Sequence, residues 1–310
     1  MAAEDAEAAV EEDAVVAEAD AMKALDDRVG LGWRADLASG VFSNLERIDL
    51  LEVIADDFFD APRLEVRALK TLASHVPVVL HGVGMGLASS VPVETKRLEK
   101  MARLFELVRP QFWSEHLAFV RGGGIEIGHL AAPPRTADTL EGAAENLSRA
   151  TRVVGSKPLM ENIATLVDPP GSTLSESGWI SGILASSDCD LLLDLHNVYA
   201  NGVNHGYDSK AFLGQIPAAR IRAIHIAGGK FIPAPDGSQR LLDDHLHDVP
   251  DPVFELLEET AALSQHSLTV ILERDGAYPS MDCLMAQMEM ARQALARGRA
   301  RRAAAHEVLA

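Results

Sequence analysis

Two cysteines, Cys189 and Cys283, are the only thiols in 310 residues. They lie far apart and form no CxxC or zinc-knuckle spacing, so they read as core residues rather than as a disulfide, with the cytoplasm as the expected compartment. No apolar run approaches the roughly 18 residues of a membrane span. The start of the chain lacks the basic residues and apolar stretch of a signal peptide. Positive charge is also scarce: 28 Lys and Arg stand against 46 Asp and Glu, a formal net charge of −18. That balance argues against a nucleic-acid partner, which needs a basic footprint.

Part of the negative charge sits in Met1–Asp27, an Ala/Glu/Asp segment with one basic residue, Lys23. It has few large apolar side chains to bury, and residues 1–27 are expected to be a disordered tail. Arg292–Arg302 carries five arginines among alanines. It reads as a solvated helix end or tail, with residues 296–310 outside the barrel expected for residues 28–295.

What the chain does have is a rhythm. Apolar residues make up 47% of it, enough for one large core, and short apolar runs alternate with amphipathic stretches. The expected strands are Val29–Trp33, Ile48–Ile54, Pro77–His81, Phe112–Phe119, Leu159–Ile163, Cys189–Leu195, Arg222–Ile226 and Leu268–Glu273. Between them, Pro92–Val108 places Leu98, Met101, Leu104, Phe105 and Val108 at helical spacing, and Thr136–Val153 does the same behind an N-cap at Thr136 or Asp138. Val198–Asp208 and Gly228–Pro250 are read as long rim loops. Eight strand–helix units predict a single (β/α)8 TIM barrel.

The strands finish in polar residues: His81, Glu115-His116, Glu161-Asn162, Asp194, His225 and Glu273. Taken singly, a His after a strand is a hydrogen-bonded core residue and a Glu there is solvated. Six such ends converging on one rim would repel or desolvate one another without cations, which makes the set a metal site. Asp194 and Asn197 flank a strand end. Asp243 and His245 share one side of an extended segment that is otherwise a polar surface loop.

The run Leu191–Tyr207 (LLLDLHNVYANGVNHGY), with Leu80-His-Gly-Val-Gly84, Ser114-Glu-His-Leu-Ala118, Met160-Glu-Asn162, Ile224-His-Ile-Ala-Gly228, Leu242-Asp-Asp-His245 and Leu272-Glu-Arg-Asp275, resembles the multinuclear non-heme iron-dependent oxidative enzymes, the family of the methanobactin-maturing oxidase. The likeness covers Val29 to the helix after residue 280, and that family is similar to the xylose-isomerase-like barrels. It implies two or three irons per chain, with zinc or manganese as substitutes. Glu161 would bridge a site completed by His81 and His116 and a site completed by Asp194, His225 and Glu273. Asn197, Asp243 and His245 would take a third ion. Glu161, Asp194 and His225 are the expected catalytic residues, while Glu115, Asn162 and His205 would support the ligands or the substrate. The chain departs from the family at Ile54, where relatives carry His, and at His196 and Arg274, where they carry Asn and Trp. Arg274 would recruit a substrate carboxylate or form a plain ion pair; both readings stay open.

The function this resemblance implies is an iron oxidase that uses dioxygen to modify a residue, foremost Cys, of a ribosomally made precursor peptide, aided by a small leader-binding partner protein. The rivals are a divalent-metal sugar isomerase or epimerase on the same barrel, a zinc phosphodiesterase acting on damaged DNA, and a non-catalytic protein that keeps the cluster for stability.

Overall fold

Period-two alternation in the short strands decides the architecture, because it sends every second side chain to the barrel interior and the rest toward surrounding helices. The computed structural model describes residues 25–235 and 237–309; the expected acidic tail falls outside them up to residue 24. Eight parallel strands close in the order β1 (Arg28–Gly32), β12 (Thr269–Leu272), β9 (Ile221–Ile226), β8 (Asp190–Asp194), β7 (Leu159–Glu161), β4 (Trp113–His116), β3 (Val78–Gly82), β2 (Leu51–Ile54). This is a single (β/α)8 barrel. At Gly30 a Cβ would stand 2.5 Å from the Leu50 carbonyl oxygen, so β1 needs glycine there, whereas Gly32 has ordinary room.

The helices bury the faces their spacing exposes. Thr95–Val108 buries Leu98, Met101, Leu104 and Val108. Ala137–Val154 starts at Thr136, whose hydroxyl accepts from the Thr139 amide, and buries Ala143, Leu147 and Ala150. Inside the barrel, Leu50, Val79 and Ile271 pack with Phe112, and Leu159, Leu192 and Ala223 meet the same ring. These residues form an apolar floor. Two positions further along each strand stand Glu52, His81, Ser114, Glu161, Asp194, His225 and Glu273, all buried. The polar layer is thus the next interior tier above the floor.

Three rim features differ from the sequence expectation. Residues Leu195–His205 form a helix, not a loop. Asn, Gly and His are poor helix formers, but Asp194 caps this helix by accepting from the Asn197 amide at 2.6 Å. Asn197, Asn201 and Asn204 then fall on one face and bond to neighbouring backbone. The segment 119–131 folds as an antiparallel hairpin, β5 (Phe119–Gly122) with β6 (Ile125–Ala131). A second hairpin, β10 (Lys230–Pro233) with β11 (Gln239–Leu242), interrupts the long loop expected at 228–250. The last helix runs from Met281 to Leu309 through the Ala/Arg stretch. No described helix is long and apolar enough to cross a membrane.

Candidate metal centre

Six strand ends deliver their side chains to one point above the apolar floor. Among the described residues two sets of donors come within reach of a shared ion: His81, His116 and Glu161, and Glu161, Asp194, His225 and Glu273. Glu161 belongs to both. Its Oε2 lies 3.5 Å from Nε2 of His81 and 3.5 Å from Nε2 of His116, while its Oε1 lies 3.2 Å from Nδ1 of His225. The second carboxylate, Glu273, places Oε2 3.1 Å from the same Nδ1.

The hydrogen bonds behind these atoms fix which nitrogen faces inward. A carbonyl oxygen only accepts, so Nδ1–H of His116 donates to the Gly82 carbonyl (3.2 Å), and Nε2 is the nitrogen turned toward Glu161. His81 is held through Nδ1 by the Ser114 hydroxyl at 2.8 Å. Asn162 clamps β7 to β8: its Nδ2 donates to the Asp194 carbonyl and its Oδ1 accepts from the Asp194 amide, each at 2.9 Å. Support of this kind orients ligands without touching an ion.

Several buried oxygens are left with no hydrogen-bond partner: Oε2 of Glu161, Oδ2 of Asp194, Oε2 of Glu273 and Oδ1 of Asn197. Burying one such acceptor unpaired is costly, and three of them on carboxylates of one tier call for a cation. The titration of the same groups agrees. Burial and the nearby Asp243 and Glu161 carboxylates push Asp194 well above the usual range. Burial alone would lower His225, yet Glu273, Glu52 and Glu161 outweigh it and hold the ring protonated well above its ordinary value. For His116 the Glu161 carboxylate likewise overcomes burial and pushes it up to about 9. Protons thus stand where a divalent ion would neutralise the carboxylates. Two buried His/Glu/Asp clusters can therefore hold divalent metal.

The remaining expected residues divide. Asp243 and His245 do meet, with His245 Nε2 2.8 Å from Asp243 Oδ1, and His196 Nδ1 reaches the same oxygen at 2.8 Å. Asn197 lines a cavity together with Asp243 and His245. Glu115 lies behind His116, accepting from the Met85 and His116 amides, with its Oε1 3.5 Å from Nδ1 of His116. His205 lies apart from both donor sets and pairs with the Thr165 hydroxyl at 2.9 Å. Arg274 is committed to the carbonyls of Gly276 and Ala277 and to Asp248 at 3.1 Å, an ion pair that does not involve Glu273.

Sequence reasoning missed Glu52 and Asp275 as site residues. Glu52 was legible as a lone acid inside the apolar run Leu50–Ile54, two positions above a floor residue. Asp275 joins Arg34 to Nδ1 of His245; only the fold brings these three segments together. Above the donors opens a cavity of about 510 Å³, with Ile163, Leu166, Pro169 and Leu241 on an apolar wall and Arg34, Asp243, His245 and Asp275 among its polar lining.

A closed parallel barrel with carboxylate and imidazole donors on its C-terminal rim defines a (β/α)8 TIM-barrel protein whose donor clusters can hold a divalent metal ion. By sequence, the chain belongs to the family described as "RiPP precursor modification enzyme MbnB/TglH/ChrH", whose pattern matches residues 28–296. It is also a UPF0276 protein: it is 30% identical over 263 residues to a UPF0276 protein from Acaryochloris marina, covering 84% of this chain and 92% of that one. In shape it resembles L-ribulose 3-epimerase (TM-score 0.57, 13% identity, 92% and 98% of the two chains covered). It also resembles a magnesium-bound xylose-isomerase-like barrel from Mycobacterium smegmatis (TM-score 0.55, 13% identity, 88% and 98% covered).

These findings correct the narrower expectations. Family membership is this chain's; the activity in the family description is that of its namesakes. Among named relatives, the particular likeness to the methanobactin-maturing oxidase gives way to the UPF0276 proteins, whose name states no reaction. The similar solved barrels are, by name, a sugar epimerase and an isomerase-like protein. The iron- and dioxygen-dependent oxidase, its Cys-bearing precursor peptide and its leader-binding partner are therefore withdrawn as readings of this chain. What the donor clusters give is two buried sets of side chains able to coordinate a divalent metal ion.

Proposed function

We propose that the chain is a metal-dependent enzyme of the isomerase or epimerase type, which moves a proton on the carbon next to a substrate carbonyl. The observation that carries this reading is the pair of donor sets sharing Glu161 below an open cavity, with the ionisable pair Asp243 and His245 on its wall. Likeness in shape to a sugar epimerase supports it. His81, His116 and Glu161 would hold one ion, and Glu161, Asp194, His225 and Glu273 a second. Nitrogen and oxygen donors of this kind suit iron, zinc or manganese. When bound, such an ion supplies Lewis acidity toward a substrate carbonyl oxygen.

The chain's own residues do the rest. Asp243 and His245, 2.8 Å apart, would hold the proton between its removal from carbon and its return. Burial would raise Asp243, but His245 and His196 outweigh it and keep the carboxylate ionised. Asp275 steadies His245 from the far side at 3.2 Å. The apolar wall of Ile163, Leu166 and Pro169 excludes water from one side of the substrate.

The test is proton exchange followed by NMR in D2O, without oxygen, using zinc-loaded protein and a panel of ketoses and small hydroxyketones. Metal-dependent deuterium incorporation beside the carbonyl, lost on chelation and in Asp243→Asn, is the expected result. No exchange by the loaded protein, together with an oxygen-dependent mass change in a peptide offered in air, would contradict the proposal.

A further inference from the structure

The tier that holds the donors contains one more acid, Glu52, which belongs to neither donor set. Leu50, Glu52 and Ile54 share the interior face of their segment: Leu50 lies in the floor, Ile54 lines the cavity, and Glu52 stands between them. Their neighbours Leu51 and Val53 face the opposite way, into the core between barrel and helices. Glu52 is fully buried. Its Oε2 lies 2.9 Å from Nε2 of His225, and its Oε1 has no partner. The other ring nitrogen of His225 faces Glu161 and Glu273.

We infer that Glu52 is a positioning residue that selects the tautomer of His225. Carboxylates face both ring nitrogens, Glu52 on the Nε2 side and Glu161 and Glu273 on the Nδ1 side. An ion taking the Nδ1 side would displace that proton, leaving the remaining proton on Nε2 donating to Glu52 and the lone pair on Nδ1 aimed between Glu161 and Glu273. The ring is also pinned in rotation, because both of its nitrogens are engaged from opposite sides. A buried acid at this place would otherwise go unrewarded, since it touches neither the cavity nor the surface. The inference rests on the proposed metal centre and deepens it: it assigns which nitrogen of His225 is the ligand and what holds it so. Partners of this type shift metal affinity by about 10–100-fold when removed.

The experiment compares zinc affinity, by competition with a chromophoric chelator, for the wild type, Glu52→Ala and Glu52→Gln. Glu52→Ala is expected to bind about 10–100-fold more weakly. Glu52→Gln keeps a carbonyl oxygen that accepts from Nε2–H and is expected to recover most of that loss. Long-range proton–nitrogen NMR of the zinc-loaded wild type reads the tautomer directly and does not depend on any variant folding; it is expected to show Nε2 protonated and Nδ1 bound. Wild-type zinc binding with an unchanged constant in Glu52→Ala would overturn the role of Glu52 alone. So would equal loss in both variants, or a proton on Nδ1. A wild type that binds no zinc would overturn the metal centre and this inference together.

Discussion

Glu161 carries more of the site than any other side chain. Both of its oxygens face histidines, from β3 and β4 on one side and β9 on the other. Burial would raise its titration, but His116, His225 and His81 outweigh it and keep it ionised. Glu161→Gln preserves the shape and one carbonyl oxygen but removes the charge that both donor sets share. Elemental analysis after dialysis should therefore show both ions lost together, whereas Asp194→Asn should weaken one site more than the other. Full occupancy in Glu161→Gln would show that the two sets do not share this residue. At this scale much was legible in the sequence. A His, Glu or Asp two positions beyond an interior apolar residue is anomalous in a buried strand, and five of the six donors (His81, Glu161, Asp194, His225 and Glu273) share that anomaly. Glu52 obeys the same rule but lies within its strand rather than at its end, so attention to strand ends passed over it. Arg274 could not be assigned from sequence because its partner, Asp248, depends on the path of the loop.

At the level of elements, the helix Leu195–His205 does work that its composition conceals. Its Asn204 accepts from the Leu241 amide at 2.7 Å and donates to the Leu241 and Thr165 carbonyls at 3.0 and 3.1 Å. The side chain is buried, so this amide ties β11 to the barrel and sets the path that leads to Asp243 and His245. Asn204→Ala would strand these backbone groups, at about 1–3 kcal/mol for each one left unsatisfied. The urea midpoint should fall with an unchanged slope, and hydrogen exchange at Leu241 should speed up. A midpoint equal to wild type would mean that water or a shifted loop replaces the amide. The eight barrel strands were readable because parallel strands buried on both faces read as short, nearly continuous apolar runs in one sequence. This helix and the two rim hairpins were not, because they are held by side chains from distant segments, and local propensity argues against the helix.

In the whole molecule, the acidic side chains of the described residues are divided between the surface and the barrel interior. The barrel closes where β1 meets β12, and the final helix seals that seam. Arg299, from the Ala/Arg stretch expected to be a tail, engages both oxygens of Asp27 and the carbonyls of Ala261, Ser264 and His266. A planar five-donor fork suits that set of partners better than an ammonium would. Inside, Glu52, Glu161, Asp194 and Glu273 are all buried within one tier, and histidine protons alone balance them only in part. Anomalous diffraction from crystals grown with manganese or zinc tests this account most directly. It predicts one peak among His81, His116 and Glu161 and a second among Glu161, Asp194, His225 and Glu273. A barrel interior without anomalous density, at full metal saturation and with the donors in place, would contradict it.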